Sequence, residues 1–163
     1  MINEKRLVDN FIKLTSFDSE SFREKQIGEA LRHELEELGL EIRIDTTEPN
    51  YLEAHPESCP NIYGFLKGNR PGKPILFSAH MDTVSPGNGK AAVIREDEII
   101  TSDADTVLGA DDIAGVASIL EALRVIREEN SPHPDIEVLF TVAEEPFCEG
   151  AAYLRYDLLK AKS

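Results

Sequence analysis

Basic residues are scarce in this chain: 17 lysines and arginines stand against 31 aspartates and glutamates in 163 residues, for a formal net charge of −14. A polyanion is held by clustered Lys and Arg, so this balance argues against a nucleic-acid partner. Cysteine is nearly absent as well. Cys59 and Cys148 lie far apart and outside any CxxC spacing, which excludes a structural-zinc signature and a disulfide framework and points to a reduced, cytoplasmic protein. No apolar run approaches the length of a membrane span. The opening residues, MINEKRLVDNFIKL, scatter charge through their apolar positions and so lack the unbroken core of a signal peptide.

What remains is the composition of a globular domain, 41% hydrophobic and 29% charged, with length for one substantial core rather than two. Leu7, Val8, Phe11, Ile12 and Leu14 mark one face of a first helix. Ser21 and Glu24 read as a capping box for a second, which buries Ile27, Leu31, Leu35 and Leu38 and stops at Gly39. LEIRID alternates as a half-buried strand, TTEPNYLEAHPESCP is a turn-rich connection, and NIYGFLKG and ILFSA are further strands. A hairpin is expected around Val93–Ile94 and Ile99–Ile100, and a helix from Asp112 to about Arg127, with Val116, Ile119, Leu120, Leu123 and Ile126 inward. DIEVLFTVAEE is a buried strand ending in acid, and GAAYLRYDLLKAKS a closing helix. The alternation predicts an α/β fold, a mixed, mostly parallel sheet covered on both faces by helices.

Three of these element ends carry unusual side chains. His80 and Asp82 follow ILFSA, and in a strand residues two apart share one side. Asp111 and Asp112 open a helix, and Glu144 and Glu145 follow VLFTVA. Ligands of open α/β sheets bind beyond the carboxyl ends of the strands. If the three ends adjoin, one imidazole and five carboxylates converge, and their repulsion must be relieved by protonation or by cations. Each piece alone is bland: HMD is a polar strand end, ADD a helix cap with first-turn acids, EEP a solvated turn. Together they suit a divalent metal, zinc with cobalt or manganese as substitutes, and a glutamate free to move a proton.

The stretches SAHMDTVSPGNG, LGADDIAGVASILEAL and FTVAEEPFCEGA resemble the N-terminal blocks of the peptidase T-like co-catalytic zinc aminopeptidases, within the wider aminoacylase and carboxypeptidase G-type group. The resemblance covers nearly the whole chain. It implies two zinc ions, with His80 as a ligand of one, Asp111 as the bridge and Glu145 as a ligand of the other. It implies that Asp82 orients the His80 ring, that Glu144 is the general base activating water, and that the Asp111–Asp112 bond is cis. The implied substrate is a short peptide cut at its N-terminus. An N-acyl amino acid deacylase or carboxypeptidase shares the metal chemistry, and a non-catalytic metal-binding or assembly module is the alternative of another class.

Two departures stand out. Ile113 takes the place of a usual lysine after the aspartate pair. Three of five implied zinc ligands are present, since His33, His55 and His133 sit in no matching context and read as surface residues. Residues 1–163 are therefore expected to be the N-terminal part of a metallopeptidase catalytic domain. The lid or dimerisation domain and the C-terminal part would lie outside them, leaving this chain alone with little activity. A sheet edge or helix face left uncovered would favour a homo-oligomer.

Overall fold

A computed structural model describes residues 1–44, 49–103 and 105–161. Helix α1 (Glu4–Thr15) starts where the Asn3 side chain accepts the Arg6 N–H, and it buries Phe11 and Leu14. Helix α2 (Lys25–Glu37) buries Ile27, Leu31 and Leu35, and the chain leaves it through Gly39 at φ +78°, a conformation glycine adopts without a side-chain penalty. Strand β1 (Glu41–Ile44) follows, then a short helix α3 (Pro49–Ala54) inside the connection read as turn-rich, where no helix was expected. Thr46, Thr47 and Glu48 of that connection lie outside the described residues. Next come β2 (Ile62–Leu66), β3 (Ile75–His80), the hairpin β4 (Ala92–Ile94) and β5 (Ile100–Ser102), α4 (Ala110–Glu128), β6 (Ile136–Thr141) and a single-turn α5 (Glu149–Ala152). No described helix is long and apolar enough to cross a membrane.

The main sheet has the order β1-β2-β6-β3. It is mixed, as expected, but not mostly parallel: β1–β2 and β2–β6 are antiparallel, and only β3–β6 is parallel. Parallel neighbours need a long crossover, and here the excursion through the hairpin and α4 provides one. Alternation divides the sheet cleanly. Ile62, Leu66, Ala79, Ile136, Val138 and Phe140 face a core shared with α1, α2 and α4. Tyr63 and Leu139 face the other way.

That second face carries no long helix among the described residues, which corrects the expectation of helices on both sides. The closing helix is likewise shorter than predicted. Among the described residues after Ala152 the chain makes only a 3₁₀ turn at Tyr156–Leu158 and then extends at Leu159, while Lys162 and Ser163 of the expected helix lie outside the described residues. Tertiary contacts explain the difference. Leu154, Leu158 and Leu159 pack on Tyr63 and Leu139, while the buried Glu137 carboxylate accepts the N–H groups of Lys160 (2.7 Å) and Ala161 (2.6 Å). Those backbone groups bond to the sheet instead of closing helical turns.

Charged clamps join the three long helices. Arg6 of α1 donates to Glu121 of α4 through Nε (2.7 Å) and Nη2 (2.9 Å), and also to Glu128. Glu34 of α2 takes Lys13 (2.8 Å) and Arg124 (2.6 Å). The Arg6 guanidinium outweighs burial and holds the Glu121 carboxyl below its ordinary value of 4.5. A carboxyl whose folded pKa is lowered adds stability that is complete above its unfolded value and disappears as pH falls through the folded one. Below about pH 4.5, the melting temperature of Glu121→Gln should therefore decline with acid less steeply than that of the wild type. Equal acid-side slopes would show that this clamp contributes nothing.

Candidate metal centre

In the parallel pair, His80 at the end of β3 lies in register with Thr141 at the end of β6, so the HMD and AEE segments leave the sheet side by side. Helix α4 supplies the third element. Gly109 at φ +73° turns the chain into it, with its α-carbon so near Thr83 that a β-carbon would stand 3.0 Å from Cγ2. The Asp111–Asp112 bond is cis, as the resemblance implied. Asp111 and Asp112 are not helical. The Asp112 carboxylate turns back to accept the Gly115 N–H at 3.2 Å and so caps the helix, leaving Asp111 directed at the strand ends.

The structure brings together His80, Asp82, Asp111, Glu144 and Glu145. One donor atom each from His80, Asp111 and Glu145 lies within 4.8 Å of the others. His80 Nε2 stands 3.1 Å from Asp111 Oδ1 and 3.9 Å from Glu144 Oε2. On the far side of the ring, Nδ1 is 2.9 Å from the Asp82 main-chain carbonyl and 3.4 Å from its carboxylate. A carbonyl only accepts, so Nδ1 carries a proton and donates it there. The ring is thus oriented by both the backbone and the side chain of Asp82, with the carbonyl nearer.

The Asp82 carboxylate has a second task. Oδ1 accepts the Glu144 N–H (2.9 Å), and Oδ2 accepts the Glu145 N–H (3.2 Å) and the Ser21 hydroxyl (2.8 Å). Burial would push this carboxyl up, but His80 and these donors outweigh it and hold it below the ordinary carboxylate range. For His80, burial alone would lower the pKa, yet the hydrogen bonds of Asp82 and Asp111 raise it to about 9. Glu145 is pushed up by burial and by the neighbouring carboxylates, with His80 partly offsetting them.

This arrangement passes a chemical test for a metal. With Nδ1–H committed, a neutral His80 aims the Nε2 lone pair at a carboxylate oxygen 3.1 Å away. Two acceptors at that distance require a cation between them, either a proton or a metal ion. One imidazole and two carboxylates form a donor set suited to zinc.

Ser21 and Glu24 do not form the expected capping box. Helix α2 begins at Lys25 without a side-chain cap; Ser21 bonds Asp82, and the buried Glu24 carboxylate accepts the Ala143 N–H at 3.0 Å. Their spacing fits a cap equally well, and nothing in the sequence pairs position 24 with position 143. The Cys148 thiol, exposed and 3.3 Å from Glu144 Oε1, also escaped the sequence reading. His33 is exposed beside Glu37, His55 stacks on Phe22, and His133 bonds the Pro134 carbonyl, so none of the three joins the cluster.

Aminopeptidase PepT from Bacillus cereus superimposes with a TM-score of 0.91 at 40% identity, covering 99% of this chain and 42% of that one. A tripeptidase from Staphylococcus aureus gives 0.89 at 37% identity, covering 98% and 42%. Peptidase T of Escherichia coli is 31% identical over 96% of this chain and 46% of its own length. The chain therefore spans less than half of each, and its likeness to peptidase T-like enzymes runs across nearly its whole length. The model of peptidase family M28 matches residues 61–162, a span that holds the entire histidine–carboxylate cluster, and the chain belongs to that family.

Proposed function

We propose that the complete protein is a zinc-dependent aminopeptidase that removes N-terminal residues from short peptides, tripeptides among them. The convergence of His80, Asp111 and Glu145, with Glu144 beside them, carries the reading. Relatives at 37–40% identity named as a tripeptidase and an aminopeptidase support it over an acyl-amino-acid substrate.

His80, Asp111 and Glu145 would hold the metal. When bound, zinc supplies a Lewis acid for the scissile carbonyl and lowers the pKa of water. Cobalt or manganese would serve in its place. Where two ions bind, Asp111, whose side chain is 88% exposed, would be shared between them, with His80 holding one and Glu145 the other. Glu144 is the proton carrier: its carboxylate accepts a proton from the attacking water and returns it to the leaving amine. Asp82 fixes the His80 ring and the backbone from which both glutamates project. In the complete protein, of which these residues would be the N-terminal part of the catalytic domain, the remaining chain would complete the ligand set and position the peptide.

Calorimetric titration of the 163-residue chain with zinc and with cobalt tests the metal assignment directly. Wild type is expected to bind, and His80→Ala to weaken binding by more than about 10-fold, since even outer-sphere partners of a metal cost that much. His33→Ala should bind as wild type does. Unchanged affinity in both His80→Ala and Glu145→Ala would overturn the assignment.

A further inference from the structure

Three consecutive backbone N–H groups follow β6 outside any helix or strand ladder: Ala143, Glu144 and Glu145. Each is held by a carboxylate from a distant part of the chain. Asp82 takes the second and third at 2.9 and 3.2 Å. Glu24 takes the first, its Oε1 accepting the Ala143 N–H at 3.0 Å. Ala143 has φ +46°, a left-handed conformation that a residue with a β-carbon adopts only under outside constraint. The Glu24 side chain is fully buried. It also accepts the Phe22 N–H at 2.9 Å and the hydroxyl of Ser58, which in turn meets the Tyr51 hydroxyl at 3.2 Å.

We propose that Glu24 is a positioning residue for the glutamate pair, fixing Ala143 and through it the aim of Glu144 and Glu145. Its functional consequence rests on the metallopeptidase reading; its structural part does not. A carboxylate on the approach to α2 is an unusual anchor for a loop 119 residues away, and the direction of the bond explains the choice. The loop offers N–H donors, so its anchor must be an acceptor. Asp82, already bonded to Ser21 and to two amides, is committed to the next two positions. Glu24 and Asp82 thus act in series along one stretch of backbone, and rotation at Ala143 would swing both glutamates away from His80 together.

The test uses the 163-residue chain with Glu24→Gln, Glu24→Asp and Glu24→Ala, read by amide hydrogen exchange without metal and by cobalt affinity. Gln keeps an acceptor for Ala143 and Phe22, and the Ser58 hydroxyl can turn to accept from the new amide, so both readouts should stay within about 3-fold of wild type. Asp is one methylene short. The amides of Ala143 to Glu145 should exchange at least about 10-fold faster while those of α4 are unchanged, and cobalt should bind about 10-fold more weakly. Glu24→Ala should match Asp; if it does not fold, the Gln and Asp variants decide. A lower melting temperature in Glu24→Asp, with exchange at 143–145 and cobalt affinity as in wild type, would reduce Glu24 to a fold clamp and overturn the proposal. Faster exchange with unchanged cobalt affinity would overturn its link to the site. If wild type binds no cobalt, the metal assignment fails separately, and the exchange comparison still decides whether Glu24 holds the loop.

Discussion

Glu144→Gln, in the complete metal-loaded protein, is expected to lower peptide turnover by about 10²–10⁴-fold with metal content unchanged. Gln matches Glu in shape and keeps an acceptor oxygen for the Cys148 thiol, which lies 3.3 Å from Glu144 Oε1. It cannot take up a proton, and that is the function assigned to this side chain. Glu144 reaches His80 only at 3.9 Å and is not among the three residues whose donor atoms converge, so its loss should leave the ion in place. Glu145→Gln should behave differently, losing metal and activity together. Metal analysis beside steady-state kinetics separates the two. A Glu144→Gln protein that loses its metal in proportion to its activity would make Glu144 a ligand, and one that turns over normally would remove it from the chemistry.

Phe140→Ala is expected to destabilise the chain by about 3–5 kcal/mol, a fall in melting temperature of about 6–20 °C for a domain of this size. Phe140 is 0% exposed and lies in register with Ile62 of β2 on one side and Ala79 of β3 on the other. Helices α1, α2 and α4 close over the same core. Neighbours fixed by two strand ladders cannot collapse into the space the ring vacates, so the cost should include most of a cavity term. Phe140→Leu, which retains much of the volume, should cost far less. Thermal denaturation of the metal-free chain measures both, and a loss below about 1 kcal/mol for Phe140→Ala would mean the core relaxes around the gap. Because β6 ends one residue later and leads straight into the Ala143–Glu145 turn, the same substitution should loosen the site.

Local pattern carried the elements whose stability is local or whose apolar face is plain. The period of Ile27, Leu31 and Leu35 marked α2, Gly39 marked its end, and the alternation in LEIRID marked β1. The grouping of the candidate site residues was legible for a related reason: metal chemistry restricts residue types, and His80 at the end of β3, Asp111 at the start of α4 and Glu145 just past β6 each flank an apolar element. Three matters were not legible. The direction of strand pairing depends on which strands become neighbours, and only β3–α4–β6 has the crossover that makes a parallel pair. The final segment has helical composition, but Glu137 and the Tyr63–Leu139 face capture its backbone and leucines. Ser21 and Glu24 have the spacing of a helix cap, yet their partners are Asp82 and Ala143, tens of residues away. The sequence by itself determined which groups are available for metal and proton chemistry and where the long helices and the main strands run. Only the tertiary structure decided where donors and acceptors without local partners found them, because a buried N–H or carboxylate bonds to whatever the fold brings within about 3 Å.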